Sequence, residues 1–359
     1  MLAMSMTSTR VRSIAQTRDG WAIYSAARAL RDAGAAVIDM TVGQHDTGTN
    51  PVILDALAAS ARAGHTGYAP LTGTPALRDA IAARVQARTG VTTTRDNVAL
   101  TMGGQFALFA TCMTIADPGA HVLFPDPFYT SNPATARAAG LVPVPVRARP
   151  EDGFQPRAAD LARTRDLWLI SDEVYDAQVW TGPHLSPRAL PDMAARRLVV
   201  GSMSKGHAMT GSRLGWLVGP VDAIAGAADL CNTTTYGPPG YIQGAALHAL
   251  ALGDAFEARI AAPFRHRRDA CLARLARQQT VGVIPSGGAM YLILDVRACG
   301  MTGTAFARAL LDRHRIAVMP GESFGEAATG HVRLALTRPG DELLIALDTL
   351  LTFAKETTT

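Results

Sequence analysis

Short apolar runs that end in glycine-rich or polar turns alternate with segments of helical period through most of this chain of 359 residues. That alternation is the signature of an α/β protein with a mostly parallel central sheet sandwiched by helices. A helix is expected from Thr74-Pro75, a cap followed by proline at the first helical position, with Leu77, Ile81 and Val85 on one face and Gly90 at its end. Asn97-Val98-Ala99-Leu100-Thr101 reads as a strand, 102–105 as a turn and 106–116 as a helix. Further strands are expected at 121–124, 142–146, 167–172 and 197–200, with a helix around 134–139. From about Val283 the pattern becomes antiparallel, with strands at 289–296 and 331–337 around a helix at 303–314, and a long helix at 255–278 leading into it. The expected organisation is an N-terminal arm and part of a small domain over 1–45, a large domain over 46–275, and a smaller α+β domain over 276–359.

With 48% hydrophobic and 18% charged residues, the chain has the composition of a soluble globular protein. The net charge of +4 comes from arginines scattered along the sequence rather than from a block, so no nucleic-acid footprint is expected. Cys112, Cys231, Cys271 and Cys299 are too far apart for a metal knuckle or a redox pair, and the histidines make no metal spacing. No apolar run reaches membrane-spanning length, and the first dozen residues lack the apolar stretch of a signal peptide, so the expected compartment is the cytoplasm.

Only two of the 34 basic residues are lysines, and one of them, Lys355, lies in the last few positions. Arginine supplies charge as well as lysine does but cannot become a neutral amine nucleophile, so Lys205, alone in the body of the chain, is the candidate for covalent chemistry. It sits in Gly201-Ser202-Met203-Ser204-Lys205-Gly206, read as the turn at the C-terminal end of a buried strand, where open α/β sheets bind ligands.

Asp172, in Ser171-Asp172-Glu173-Val174-Tyr175, ends another strand. A buried acid there needs a cationic partner such as a pyridinium nitrogen, or else it caps the following turn. Tyr175 is then placed to hydrogen-bond a ring oxygen. Gly103-Gly104-Gln105 opens a helix whose N–H groups and dipole can cradle a phosphate, although glycines also start helices for packing reasons. Arg213, Ser202 and Ser204 can add contacts to the same phosphate, with a surface role as the alternative for Arg213.

Together these segments resemble the class I/II aminotransferases of fold type I, which use pyridoxal phosphate. Ser202-x-Ser204-Lys205 followed by Met209-Thr210-Gly211-x-Arg213-x-Gly215-Trp216 is specific to that family, and 171–175 matches it too. The resemblance covers nearly the whole chain. It implies that Lys205 carries the cofactor as a Schiff base and shuttles a proton, that Asp172 pairs with the ring nitrogen, and that Tyr129 of Pro125-x-Pro127-x-Tyr129 stacks on the ring. It further implies that Tyr68 of Thr66-Gly67-Tyr68 reaches the phosphate of a neighbouring subunit's cofactor in a homodimer. Arg333 of His331-Val332-Arg333-Leu334, with the Gly43 amide, would grip the α-carboxylate of an amino acid or 2-oxo acid. The runs 166–175 and 204–211, with Tyr236-Gly237 and 311–314, look most like arginine–pyruvate transaminases.

One departure stands out. The family carries a further buried strand, ending in an Asn-Pro-x-Asn-Pro-Thr-Gly-like motif, before the aspartate strand, and its second asparagine contacts the cofactor's ring oxygen. Residues 147–171 contain no asparagine at all. Without that strand its neighbours must re-pair across the gap or leave backbone groups unsatisfied.

Three other readings remain open: a β-lyase or decarboxylase using the same cofactor, and an inactive cofactor-binding remnant. The Ser202-Met203-Ser204-Lys205 run also has the S-x-x-K form of penicillin-recognising serine enzymes, but the S-D-N and K-T-G partners of that class are absent.

Overall fold

The computed structural model describes residues 7–15, 21–155, 167–190, 194–284 and 286–358. The first elements are α1 (Thr9–Ala15), α2 (Ala22–Asp32), β1 (Ile38–Met40), α3 (Pro51–Arg62), α4 (Pro75–Thr89), β2 (Val98–Thr101) and α5 (Gly104–Ile115). They are followed by β3 (His121–Asp126), α6 (Asn132–Ala138), β4 (Val142–Arg147), β5 (Leu169–Asp172), β6 (Arg197–Ser202), α7 (Met203–Gly206), β7 (Gly215–Val218), α8 (Val221–Thr234) and α9 (Gly240–Ala251). The chain continues with α10 (Gly253–Leu275), β8 (Gly282–Ile284), β9 (Tyr291–Asp295), α11 (Gly303–His314), β10 (Ile316–Pro320), β11 (His331–Ala335) and α12 (Gly340–Thr357).

Two compact units are distinguished by internal contacts. One comprises 47–117 and 165–262, the other 1–46, 118–164 and 263–359. The breaks at 46 and 262 lie near the expected boundaries at 45 and 275, and 118–164, which the sequence reading put in the large domain, group with the terminal segments.

In the first unit the sheet order is β2-β7-β6-β5. β5 pairs with β6 in parallel, and β7 runs antiparallel to both β6 and β2, so three strands point one way and only β7 is reversed. Both faces are covered, which is why these strands read as continuous apolar runs rather than as an alternation. Val98, Leu100, Val199, Trp216 and Val218 pack to one side with Leu77, Ile81 and Ile242, while Ala99, Leu198, Val200 and Leu217 pack to the other with Ile224 and Ala227. α4 begins at Pro75 after Thr74, whose side chain makes no capping hydrogen bond; Leu77 and Ile81 are fully buried with Val85 partly so, and Gly90 closes the helix at φ +71° with its N–H on the Gln86 carbonyl. Burying several Leu and Ile side chains of this kind stabilises by about 1.5–3 kcal/mol each.

The strand missing before β5 leaves a trace in the pairing of its neighbours. Among the described residues β5 has a ladder partner on one side only, β6, and β3 and β4 form a separate two-stranded parallel sheet. Among the described residues no other strand pairs with β5 in its place. Residues 156–166, where that strand would connect, lie outside the described residues.

The second unit contains a five-stranded sheet of order β1-β10-β11-β9-β8. Its pairs are antiparallel except β1 with β10, where Ile38, Asp39 and Met40 align with Ile316, Ala317 and Val318. The expected antiparallel C-terminal strands are therefore present, joined by a three-residue strand from the N-terminal segment. α11 begins where expected because the Thr302 hydroxyl accepts the Ala305 N–H, and it ends at Arg315, whose φ of +58° breaks the helix.

Candidate functional site

The parallel register of β5 and β6 brings Asp172 opposite Val200, so the ends of both strands open at the same level. At the end of β6 the Ser202 hydroxyl accepts the Ser204 N–H at 3.1 Å and donates to the Leu214 carbonyl at 3.3 Å. That cap starts α7, so the polar turn expected after β6 is a single helical turn carrying Lys205. The helical form has a local cause, since Ser202 is an effective N-cap and Met209 N–H closes back on the Met203 carbonyl. Lys205 Nζ stands 5.6 Å from the centroid of the Tyr175 ring. Thr210 donates to the Ser204 carbonyl at 3.1 Å, tying the lysine turn to the following loop.

Arg213 follows in the left-handed region, with φ of +52°, and its Nη1 donates to the Thr210 carbonyl at 2.8 Å. Its other nitrogen, Nη2, lies so close to Gly103 that a Cβ there would stand 2.4 Å away, and Gly103 itself needs a φ of +82°. Gly104 sits in turn 3.1 Å, from its would-be Cβ, to Val174 Cγ1 and 3.8 Å to Ser202 Cβ. Gly215 allows the same approach from β7, since a Cβ on it would be 2.7 Å from the Gly103 and Gly104 backbone. Gly103, Gly104, Ser202, Ser204, Lys205, Arg213 and the turn from Asp172 to Tyr175 thus form one cluster, with Gln105 exposed in the first turn of α5.

The cluster suits a phosphorylated, cationic heteroaromatic group. The first turn of a helix leaves N–H groups without helical acceptors, and a guanidinium beside them completes an anion site. The Asp172 side chain is reached by solvent, yet protein surrounds it closely, and desolvation pushes its carboxyl up to about 6 against the smaller opposing effects of the Val174 N–H and Lys205. A carboxylate so placed gains from a ring nitrogen cation against it. Asp172 Oδ1 also accepts the Val174 N–H at 3.3 Å, so the turn-capping role is real, and it occupies one oxygen only.

In the other unit Arg333 is gripped as a flat cation. Its guanidinium carbon lies 4.1 Å from the Tyr291 ring centroid and 4.3 Å from that of Phe324, and Nη2 donates to the Thr41 carbonyl at 2.6 Å. Its Nε is buried and has no hydrogen-bond partner among the described residues. Gly43 belongs to the same place, since a Cβ there would stand 1.8 Å from the Tyr291 hydroxyl. The sequence reading missed Tyr291 and Phe324. Neither carries a local signal: Phe324 follows a Pro-Gly turn and Tyr291 looks like any strand aromatic.

Tyr129 is 46% exposed and follows a loop held within its unit, where Phe128 N–H donates to the Phe324 carbonyl at 2.7 Å and Asp126 accepts the N–H groups of Glu326 and Ala327. Tyr68 is not part of the lysine cluster; it is 93% exposed, its ring 5.8 Å from that of Tyr236. His207, beside the lysine turn, is buried 3.3 Å from Glu257 Oε1, and burial brings its pKa down to about 4, so it is a neutral packing ring.

The sequence profile described as aminotransferase class I and II matches residues 35–164 and 156–350. The chain belongs to this family. Arginine–pyruvate transaminase AruH of Pseudomonas aeruginosa is 35% identical, with 90% of this chain and 91% of that protein aligned. The aspartate/prephenate aminotransferase of Thermus thermophilus is 32% identical over 91% of this chain and 93% of its own length. Among solved structures, a single mutant of Thermus thermophilus aspartate aminotransferase superposes with a TM-score of 0.88 at 29% identity, covering 98% of this chain and all of that one. This aminotransferase is accordingly a pyridoxal-phosphate-dependent enzyme of fold type I that moves an amino group between an amino acid and a 2-oxo acid. The two profile matches meet at 156–164, within the stretch that lacks the Asn-Pro segment.

Proposed function

We propose that Lys205 is the residue that holds the cofactor covalently and afterwards moves the proton at the substrate α-carbon, within a homodimer that works in the cytoplasm. When bound, pyridoxal phosphate supplies an electron sink for negative charge at that carbon. Asp172 keeps the ring nitrogen protonated, and Tyr175 donates to the ring oxygen, the only one of the family's two contacts there that this sequence retains. The unit of 47–117 and 165–262 is the cofactor domain, in which Gly103, Gly104, Gln105, Ser202, Ser204 and Arg213 bind the phosphate. Tyr129 covers the ring, Tyr68 serves the partner subunit's phosphate, and Arg333 with the Gly43 amide orients the substrate through its α-carboxylate.

The observation that carries this reading is the convergence of the chain's one internal lysine, 5.6 Å from the Tyr175 ring, with an aspartate whose carboxyl is held up to about 6. Four free, buried cysteines without a disulfide suit a reducing compartment. Arginine with pyruvate is the first substrate pair to assay, given the name of the Pseudomonas relative and the segments shared with such enzymes. The decisive experiment is borohydride reduction of protein loaded with pyridoxal phosphate, followed by peptide mapping. A pyridoxyl label on Lys205, together with pyruvate-dependent turnover of an amino acid, is the expected result. A label on Lys355 or on no residue overturns it, and turnover without a 2-oxo acid acceptor points instead to elimination or decarboxylation.

A further inference from the structure

The turn that presents Asp172 and Tyr175 stands at the end of β5, whose ladder has one side only among the described residues. Its backbone bonds include Glu173 N–H to the Val200 carbonyl at 2.8 Å, Asp176 N–H to the Glu173 carbonyl at 3.0 Å and Gln178 N–H to the Tyr175 carbonyl at 2.8 Å. Two carboxylates of the same turn, Glu173 between the chemical residues and Asp176 just after them, add side-chain bonds. Glu173, with its side chain 10% exposed, accepts the Ser186 hydroxyl at 2.6 Å on Oε1, and its Oε2 lies 3.0 Å from His184 Nε2. Ser186 is itself fixed, because its hydroxyl caps the single turn Pro187–Ala189 by accepting the Arg188 N–H at 3.2 Å. Asp176 Oδ2 accepts from Arg84 Nη2 at 3.2 Å and from Arg88 Nη1. Both arginines also bind Glu257, whose side chain is 4% exposed.

His184 and Ser186 bind the same carboxylate, so Glu173 acts as a bridge and no base is set against the serine hydroxyl for nucleophilic work. What the arrangement does is restrain the turn from two sides. Charge-assisted bonds of this kind are short and directional, and they are strongest where solvent is excluded. A displacement of about 1 Å in a group that contacts a cofactor is enough to slow a reaction on the order of a hundredfold.

We propose that Glu173 and Asp176 are positioning residues for Asp172 and Tyr175, locking by side-chain bonds a turn whose strand has a ladder partner on one side only among the described residues. This rests on the reading of Asp172 and Tyr175 as cofactor contacts. Neither positioning residue touches substrate or cofactor itself.

The test compares full-length Glu173→Gln, Ser186→Ala and Asp172→Asn with the parent. Three measurements are made: amide exchange of residues 172–178 in cofactor-free protein, the pH midpoint of the visible absorption of bound pyridoxal phosphate, and kcat and KM with an amino acid and a 2-oxo acid. Glu173→Gln and Ser186→Ala should exchange faster at 172–178 and shift the absorption midpoint in the same direction as Asp172→Asn. They should also lower kcat by roughly tenfold to a hundredfold while KM changes by about twofold or less. Ser186→Ala removes one hydroxyl and decides the matter if Glu173→Gln does not fold. A lower melting temperature with parental midpoint and kcat in both variants, while Asp172→Asn is impaired, overturns the positioning role and leaves the Asp172 reading intact. Parental behaviour of Asp172→Asn overturns that reading and the positioning role with it.

Discussion

Gly103 and Arg213 share one place: a Cβ on Gly103 would stand 2.4 Å from Arg213 Nη2. The contact joins the N-terminus of α5 to the loop after the lysine turn, elements more than a hundred residues apart in sequence. It brings together two weak signals, a glycine before a helix and an arginine among glycines, at the place proposed to hold the phosphate.

Gly103→Ala should therefore damage cofactor binding more than folding. The left-handed φ of +82° and the displaced guanidinium together cost about 1–3 kcal/mol. The affinity for pyridoxal phosphate, measured by fluorescence titration, should fall about tenfold or more. Unchanged affinity with the same melting temperature would show that the glycine is needed only to start the helix.

Asp172 leads to a pH prediction. Its folded pKa of about 6 lies above the usual 3.8, so between those values the native state binds more protons than the unfolded chain. Asp172 by itself therefore makes the cofactor-free protein less stable as pH rises through that window, against the opposite contribution of His207, whose folded pKa of about 4 lies below its usual 6.5. Asp172→Asn should remove the Asp172 contribution to the slope and keep the fold, while losing several kcal/mol of barrier reduction in turnover. Calorimetry of both proteins between pH 4 and 7 checks the slope, and an identical slope in the variant would remove Asp172 as its source.

Arg333→Lys should weaken selection for α-carboxylates, because an ammonium cannot form two parallel hydrogen bonds and cannot lie flat between Tyr291 and Phe324. KM for amino acids should rise by about tenfold or more. The useful quantity is the ratio of kcat/KM for an amino acid to that for its decarboxylated amine, which cancels general damage. A ratio equal to the parent's rules out Arg333 as the anchor.

Tyr68, 93% exposed on the single chain, should become buried on association. Sedimentation should find a dimer, and Tyr68→Phe should lower cofactor affinity about tenfold without altering the dimer, as for one lost hydrogen bond to a charged group. A monomer with full turnover contradicts the shared site.

The sequence by itself determined whatever depends on neighbouring residues. Proline after Thr74 and glycine at 90 bound α4, Thr302 starts α11, and the uninterrupted apolar run before Gly201 marks a strand buried on both faces. It also marked Lys205 as the lone lysine in the body of the chain, Asp172 as a charge at the end of an apolar strand, and Arg213 as an arginine among glycines. Tertiary structure decided which distant segments meet. The pairing of β1 with β10, the reversal of β7 between β2 and β6, the enclosure of Arg333 by Tyr291 and Phe324, and the binding of Asp176 by Arg84 and Arg88 leave no local trace. The physical reason is one of range: a cap or a turn is satisfied within a few residues of itself, whereas a ladder partner, an aromatic face or a buried counter-charge is chosen by packing across the whole chain.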